Sequence, residues 1–362
     1  MRKPAFILFV PSYGSGGTGE FVRSVSLAQA VAQRWPQARI EFLLPGGAGT
    51  RQDAPFPKTC HQGPRSSKAQ FNNEHIARLQ PDLVIFDTGL HSKTLRLCSR
   101  LGILTAFVSD RGEICRRAFK LDRLRLLDEH WHQREHCGLP IFTSTQRFLS
   151  IFGKTARRTF DTYIASEPYE DALPQEFTAC LSKPFVLLAP GGGGYQIGGQ
   201  PVSEIYLSAA EQIAAETGLE CLTLLGPLYE GSARGTRTLT TKTVSPSQFI
   251  DLMRCARLLV CNGGHSLTQA IACGVVCIAA PLGGGDQEGR IAAYKAVGLV
   301  QGCAPTAAAI VEATLALLDP ETYRRQRMRV VAEKMVNGIP LMCDSIARLL
   351  PNLGQALESR NN

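Results

Sequence analysis

The stretch from Leu258 to Gln287 confines this chain to a small group of folds. A short apolar run over 258–261 stops at Asn262-Gly263-Gly264. Helical periodicity follows over 266–273, then Gly274, a second apolar run over 275–280, Pro281, and a glycine loop ending in Asp286-Gln287. The order is strand, glycine turn, helix, strand, polar loop. A glycine turn that opens a helix presents unpaired backbone N–H groups at the positive end of the helix dipole, a natural seat for phosphate. In a parallel sheet the polar loop after the second strand emerges on the same edge, where it can hold another part of the same ligand.

The remainder of the chain repeats this grammar. In the first half, strands are expected over 5–10, 39–44, 82–87 and 104–109, with helices over 20–34 and 91–101. Such alternation implies a parallel, doubly wound α/β sheet. It breaks near 166–184, where Pro168, Pro174 and Pro184 stand among acidic residues, and a second series follows. That series has strands over 185–189 and 221–225, helices over 202–217 and 246–254, the opening stretch, and helices over 305–318 and 321–335. The domains are therefore expected at 1–168 and 180–338, two Rossmann-like units facing each other across a cleft. The segment 339–362, with a helix over 342–350, has the option of crossing back to the first domain.

With 362 residues, two domains are the natural division. No apolar run reaches the roughly 18 residues of a membrane span. The start, MRKPAFILFVPS, imitates a signal peptide, but its apolar core is too short and fits a first buried strand better. The 12 cysteines are scattered and include no CxxC pair, which points to reduced thiols in a cytoplasmic protein. Cys273 and Cys277 lack a histidine pair at ligand spacing, so no metal is expected. The net charge of +8 is locally dense between Arg111 and Arg125, where Arg116, Arg117, Lys120 and Arg123 alternate with Ile114, Phe119, Leu121 and Leu124. That pattern is either a solvated helix face or a contact for an anionic substrate or an anionic membrane surface. Sparse aromatic interleaving and the lack of a known module argue against nucleic acid.

Two further glycine loops carry chemistry. Gly14-Ser15-Gly16-Gly17-Thr18-Gly19 fits GxGxxG between a strand and a helix. A dinucleotide site also wants an acidic residue at the tip of the second strand. Glu41 lies inside that strand instead, so NAD or FAD is disfavoured. The run Gly191-Gly192-Gly193-Gly194 opens the second domain. Four glycines maximise backbone access at a cost in chain entropy, which points to close approach by a ligand.

These residues resemble the GT-B nucleotide-sugar glycosyltransferases, above all the enzymes that form lipid II and the UDP-glycosyltransferases. The resemblance spans the whole chain in architecture, with its specific motifs mainly between Ser245 and Gln287. Gly16-Gly17-Thr18-Gly19 is similar to the first-domain loop of the lipid II enzymes, which continue Gly-His where Glu20-Phe21 stand here. Phe249 to Met253 resembles the segment that holds the uracil. The resemblance implies that Gly263, Gly264, His265 and Ser266 bind the phosphates, with Asn262 and Thr268 beside them among the donor-binding residues. It further implies that Gln269, in place of the usual Glu, meets the ribose, and that Asp286-Gln287 meets the sugar. Arg290 stands where plant enzymes usually carry Asn.

An enzyme of this kind moves a sugar from a nucleotide diphosphate, UDP being the preferred carrier, to an acceptor hydroxyl. Direct displacement inverts the anomeric centre. It needs a base for the hydroxyl proton and charge stabilisation for the departing diphosphate. The helix at Ser266 can supply the second without metal or cofactor, and Ser266 also fits a helix N-cap. Glu20, Asp110, and Asp87 with His91 are the base candidates, with Glu20 and Asp110 preferred. A nucleotide-sugar hydrolase or epimerase, or a non-catalytic nucleotide-sugar-binding subunit, fits the same cleft.

Overall fold

The computed structural model describes residues 4–12, 19–46, 55–63, 67–136, 141–164, 177, 182–283 and 285–353. Gly16, Gly17 and Thr18, and the expected linker apart from residues 177 and 182–184, lie outside them.

The first sheet contains β1 (Phe6–Pro11), β2 (Arg39–Leu44), β3 (Lys58–Cys60), β4 (Leu83–Asp87), β5 (Leu104–Ser109), β6 (Glu129–Gln133) and β7 (Ala156–Phe160). Their spatial order is β3-β2-β1-β4-β5-β6-β7, and every neighbouring pair is parallel. Helices α1 (Gly19–Arg34), α2 (Lys68–Leu79), α3 (Ser92–Arg100), α4 (Gly112–Arg117), α5 (Leu121–Leu124) and α6 (Ser144–Ser150) accompany it.

The second sheet contains β8 (Phe185–Ala189), β11 (Glu220–Leu224), β12 (Leu239–Thr241), β13 (Leu258–Asn262), β14 (Cys277–Ala280) and β15 (Gln301–Gly302). A short hairpin, β9 (Gln196–Ile197) with β10 (Gln200–Pro201), interrupts the series. The order is β12-β11-β8-β13-β14-β15, again parallel throughout. Its helices are α7 (Val202–Thr217), α8 (Pro246–Cys255), α9 (His265–Ala272), α10 (Gly285–Ala296), α11 (Ala307–Leu318) and α12 (Pro320–Ala332), with α13 (Gly338–Leu349) last.

The central strands are apolar along their whole length because helices cover both faces. In β1, Ile7 and Phe9 face one core while Phe6, Leu8 and Val10 face another. In β8, Leu187 faces one core and Val186 and Leu188 the other. Where the order reverses, between β1 and β4 and between β8 and β13, a crevice opens beyond the strand ends, which is where such sheets bind ligands. The two crevices face each other.

The chain returns to the first domain at its end. Ile339, Met342, Cys343 and Ile346 of α13 share a core with Ile7, Phe9, Val25 and Trp35. Asn337 anchors that return, donating through Nδ2 to the Ile164 carbonyl at 2.8 Å and accepting from Ile164 N–H at 3.0 Å. Among the strands without a counterpart in the periodicity are β6 and the edge strand β7. β6 reads EHWHQ and β7 ARRTF, yet all five residues of β6 are buried.

Candidate active site

One cavity of about 1090 Å³ lies between the domains. From the first domain it is lined by Gly19, Glu20, Asp110, Arg111 and Tyr163. From the second it is lined by Gly191, Gly192, Phe249, Asn262, Gly264, His265, Ser266, Gln269, Asp286, Gln287 and Arg290.

On the second-domain side the two glycine loops are tied by one side chain. Asn262 ends β13, donates Nδ2 to the Pro190 carbonyl at 2.9 Å and accepts the Gly264 N–H at 2.7 Å. Gly191 sits at φ +95, and a Cβ there would come within 2.4 Å of Asn262 Nδ2. Glycine is required twice over, by backbone conformation and by crowding. Gly264 is the N-cap of α9, so Ser266 does not cap the helix as the sequence allowed; it stands in the first turn, on the cavity wall. The first N–H groups of α9 open at the cleft.

Several expected donor residues stand behind this wall. Met253 is fully buried in the core of the second sheet, because α8 turns that face inward. Thr268 is buried, donates to the His265 carbonyl at 2.9 Å and lies in hydrogen-bond contact with the Thr162 hydroxyl at 3.3 Å. Gly263 packs against Gln287 and Ile291, and Gly193 against the Leu225–Gly226 backbone. Gly193, Gly194, Met253, Gly263 and Thr268 are not among the residues that line the cavity. Gln269 does line it, but its Nε2 is committed across the domain boundary to the Tyr163 carbonyl at 3.0 Å. Gln287 accepts the Leu282 N–H at 3.0 Å and so shapes its own loop, while Asp286 lies 3.8 Å from Arg290 Nη2.

The first-domain wall is a charged cluster built around a residue with no sequence signature. Arg23 of α1 is 1% exposed. Its Nε donates to Asp87 Oδ2 at 2.9 Å, Nη2 to Asp87 Oδ1 at 2.5 Å, and Nη1 to Gln133 at 2.8 Å. Nη2 also lies 3.4 Å from Asp110. Burial opposes the Arg23 charge, but Asp87 and Asp110 outweigh it and hold the guanidinium protonated. Asp87 spends its carboxylate on Arg23 and Ser24, and His91 lies outside the cavity wall, so this pair is not a base.

Asp110 stands within 3.4 Å of Arg111 and 3.6 Å of His265 Nε2. Burial raises its proton affinity, but Arg23, His265 and Arg111 outweigh that and hold it well below the usual carboxylate range. Glu20, one turn before Arg23, goes the other way. Burial first, then the charges of Asp110 and Asp87, push its pKa up to about 7. Arg111 lies 3.6 Å from Glu20. Burial pushes the His265 imidazole down to about 4, aided by the Arg23 and Arg290 charges against the pull of Asp110. It is neutral at physiological pH. Its ring packs edge-on to Tyr163 at 5.2 Å, and a Cβ on Gly19 would meet it at 2.6 Å.

Arg290, 6% exposed, joins the walls by donating to the carbonyls of Glu135 at 2.8 Å and Gly263 at 2.5 Å. Arg23, Gln133 and Tyr163 are the residues that no motif disclosed; their meaning arises only when β4, β5, β6 and α1 converge.

Two facing Rossmann-like domains, a C-terminal helix returning to the first, and a ligand-sized interdomain cleft define the GT-B fold. Among solved structures, a spinosyn forosaminyltransferase superposes with a TM-score of 0.63 at 12% identity, covering 97% of this chain and 99% of its own. A UDP-glucosyltransferase from Polygonum tinctorium, solved with 3,4-dichloroaniline, gives 0.62 at 13% identity, covering 96% and 99%. The glycosyltransferase of kitacinnamycin gives 0.60 at 15% identity, covering 96% and 100%. No protein-family profile matches the sequence, and no curated protein is significantly similar to it.

Proposed function

We propose that this protein is an inverting glycosyltransferase that moves a sugar from a nucleotide diphosphate, UDP being the preferred carrier, to an acceptor hydroxyl. The observation that carries the proposal is the pairing across one cleft of a helix N-terminus flanked by glycine loops with a carboxylate whose pKa is near 7. The backbone N–H groups of His265 and Ser266 meet the diphosphate, and Gly191-Gly192 allow its close approach. Phe249 borders the nucleobase, Gln269 Oε1 accepts from the ribose, and Asp286 with Gln287 meets the sugar. Glu20 accepts the acceptor's proton as its oxygen attacks the anomeric carbon. The bond from that carbon to the phosphate oxygen breaks, and the diphosphate leaves toward α9 and Arg111. Asp110 is too acidic to share the base role; it positions His265 and Arg111. The chemistry runs without a cofactor.

Thermal-shift screening against UDP-, GDP- and TDP-sugars tests donor binding. A ligand at 100 times its dissociation constant adds about 2.7 kcal/mol to folded-state stability. No shift with any nucleotide sugar sinks the proposal. Incubation of a binding donor without acceptor separates the alternatives: quantitative free sugar indicates a hydrolase, and an altered sugar still on its nucleotide indicates an epimerase.

A peripheral membrane contact fits the first domain. Arg116, Lys120 and Arg125 are exposed beside Leu121, and Phe148, Ile151 and Phe152 are 60%, 77% and 50% exposed nearby in sequence. No helix among the described residues is long and apolar enough to cross a membrane. Co-sedimentation with anionic vesicles at low salt, lost at high salt, is the expected result.

A further inference from the structure

The strand β6 carries histidines at 130 and 132, two residues apart and therefore on one face of the sheet. That face meets Cys115 of α4. One donor atom each from Cys115, His130 and His132 lie within 4.8 Å of one another, and all three residues are buried. Ser109 Oγ stands between the rings, 2.8 Å from His130 Nε2 and 2.9 Å from His132 Nδ1. The second ring nitrogen of His130, Nδ1, is buried with no hydrogen-bond partner, although the residue is 0% exposed. The nitrogens that face the cluster are His130 Nε2 and His132 Nδ1, both gathered on Ser109 Oγ.

We propose that Cys115, His130 and His132 form a structural zinc site, with Ser109 Oγ placed to complete a tetrahedral set. One thiolate and two imidazoles suit Zn²⁺. Zinc–sulfur bonds of about 2.3 Å and zinc–nitrogen bonds of about 2.0–2.1 Å set donor separations of roughly 3.4–3.6 Å, so side-chain adjustments of about 1 Å close the site. On binding, the Cys115 thiol gives up its proton and the neutral imidazoles lend lone pairs. The local charges are mixed: Arg157 acts on Cys115 and His130, and the carboxylates of Asp110 and Glu135 act on His132.

The position gives such a site a purpose. Ser109 ends β5, Asp110 and Arg111 follow, and Cys115 lies one helical turn further on. Metal here fastens both ends of the segment that carries two cleft residues to β6, whose Gln133 holds Arg23. Histidines two residues apart form a ligand pair only on a strand, and the sequence EHWHQ of β6 lacks the apolar pattern of one.

The test begins with full-length protein expressed in zinc-supplemented medium and analysed for metal by mass spectrometry; one equivalent of zinc is expected. Replacing zinc by Co²⁺ is expected to produce a thiolate-to-cobalt charge-transfer band. Cys115→Ser removes the band, and His132→Gln lowers zinc affinity by more than about 100-fold, beyond the 10–100-fold loss typical of an outer-shell partner. Cys255→Ser, an exposed thiol on α8, retains the site. Metal-free protein that shows no cobalt charge-transfer band overturns the proposal without any variant having to fold. So does a Cys115→Ser protein that keeps the band or the zinc, because the metal then sits elsewhere.

Discussion

Glu20 and Asp110 are carboxylates on the same wall with opposite proton affinities, and the difference comes from where Arg23 points its nitrogens. Asp110 receives one of them; Glu20 does not. A base must be unprotonated to act, so kcat/KM for the donor is expected to rise with pH through about 7 as Glu20 ionises. Glu20→Gln is expected to lower kcat by about 10²–10⁴ and to flatten that limb, with donor affinity largely kept. A pH–rate profile of the variant that keeps the wild-type limb assigns the ionisation to another group. Arg23 supports both residues without touching the cavity. Arg23→Met leaves Asp87 buried and unpaired, a loss of about 3–5 kcal/mol in denaturant unfolding, and Asp87→Leu on top is expected to restore much of it. Unchanged stability in the single variant would show that Asp87 simply takes up a proton. At this scale the sequence disclosed Glu20 and Asp110 by their places after strands. It could not disclose Arg23, because an arginine at the fifth position of an amphipathic helix has the spacing of any surface cation.

The elements that position the cleft were legible where burial is two-sided and opaque where it is polar. β8, β13 and β14 read as apolar runs because helices cover both faces, and the structure starts α8 with a capping box, Ser245–Gln248. β6 hides His130 and His132 on one face and Glu129 and Trp131 on the other, so neither an apolar run nor alternation was present to read. Met253 points into the core rather than the cavity, because α8 decides by rotation which side chains reach the cleft. The glycine loop after β8 makes its own prediction. Gly191→Ala forces a positive φ on alanine and crowds Asn262, the residue that ties both loops. A stability loss of about 1–3 kcal/mol is expected, together with weaker nucleotide-sugar binding. Gly198→Ala, at φ +57 with open space around it, shares the strain but not the crowding. Equal donor affinity in the two variants, measured by calorimetry, would remove the tie between Asn262 and Gly191 from the account of the site.

At the scale of the whole molecule, the cleft exists because two separately cored domains are held at a fixed separation by a few polar crossings and one returning helix. Thr268 meets Thr162, Gln269 meets the Tyr163 carbonyl, and Arg290 meets the Glu135 carbonyl. These bonds join cavity walls rather than filling an apolar interface, an arrangement that lets donor binding and domain closure be coupled. The returning helix is of another kind. Ile346 of α13 is 0% exposed and packs with β1 and α1, far in sequence from the domain it completes. Truncating it to alanine leaves a cavity in the first domain only. The expected loss is about 2–5 kcal/mol. Because the two cores share no residues, that loss should be confined to one of them. Native-state hydrogen exchange of Ile346→Ala is therefore expected to show faster exchange for amides of β1 and β4 and unchanged protection in β8 and β13. If the proposed function holds, donor binding should persist while transfer to the acceptor falls. Uniformly faster exchange in both sheets would mean that the domains unfold as one cooperative unit, and that the crossings at Gln269 and Arg290 carry more of the stability than their number suggests.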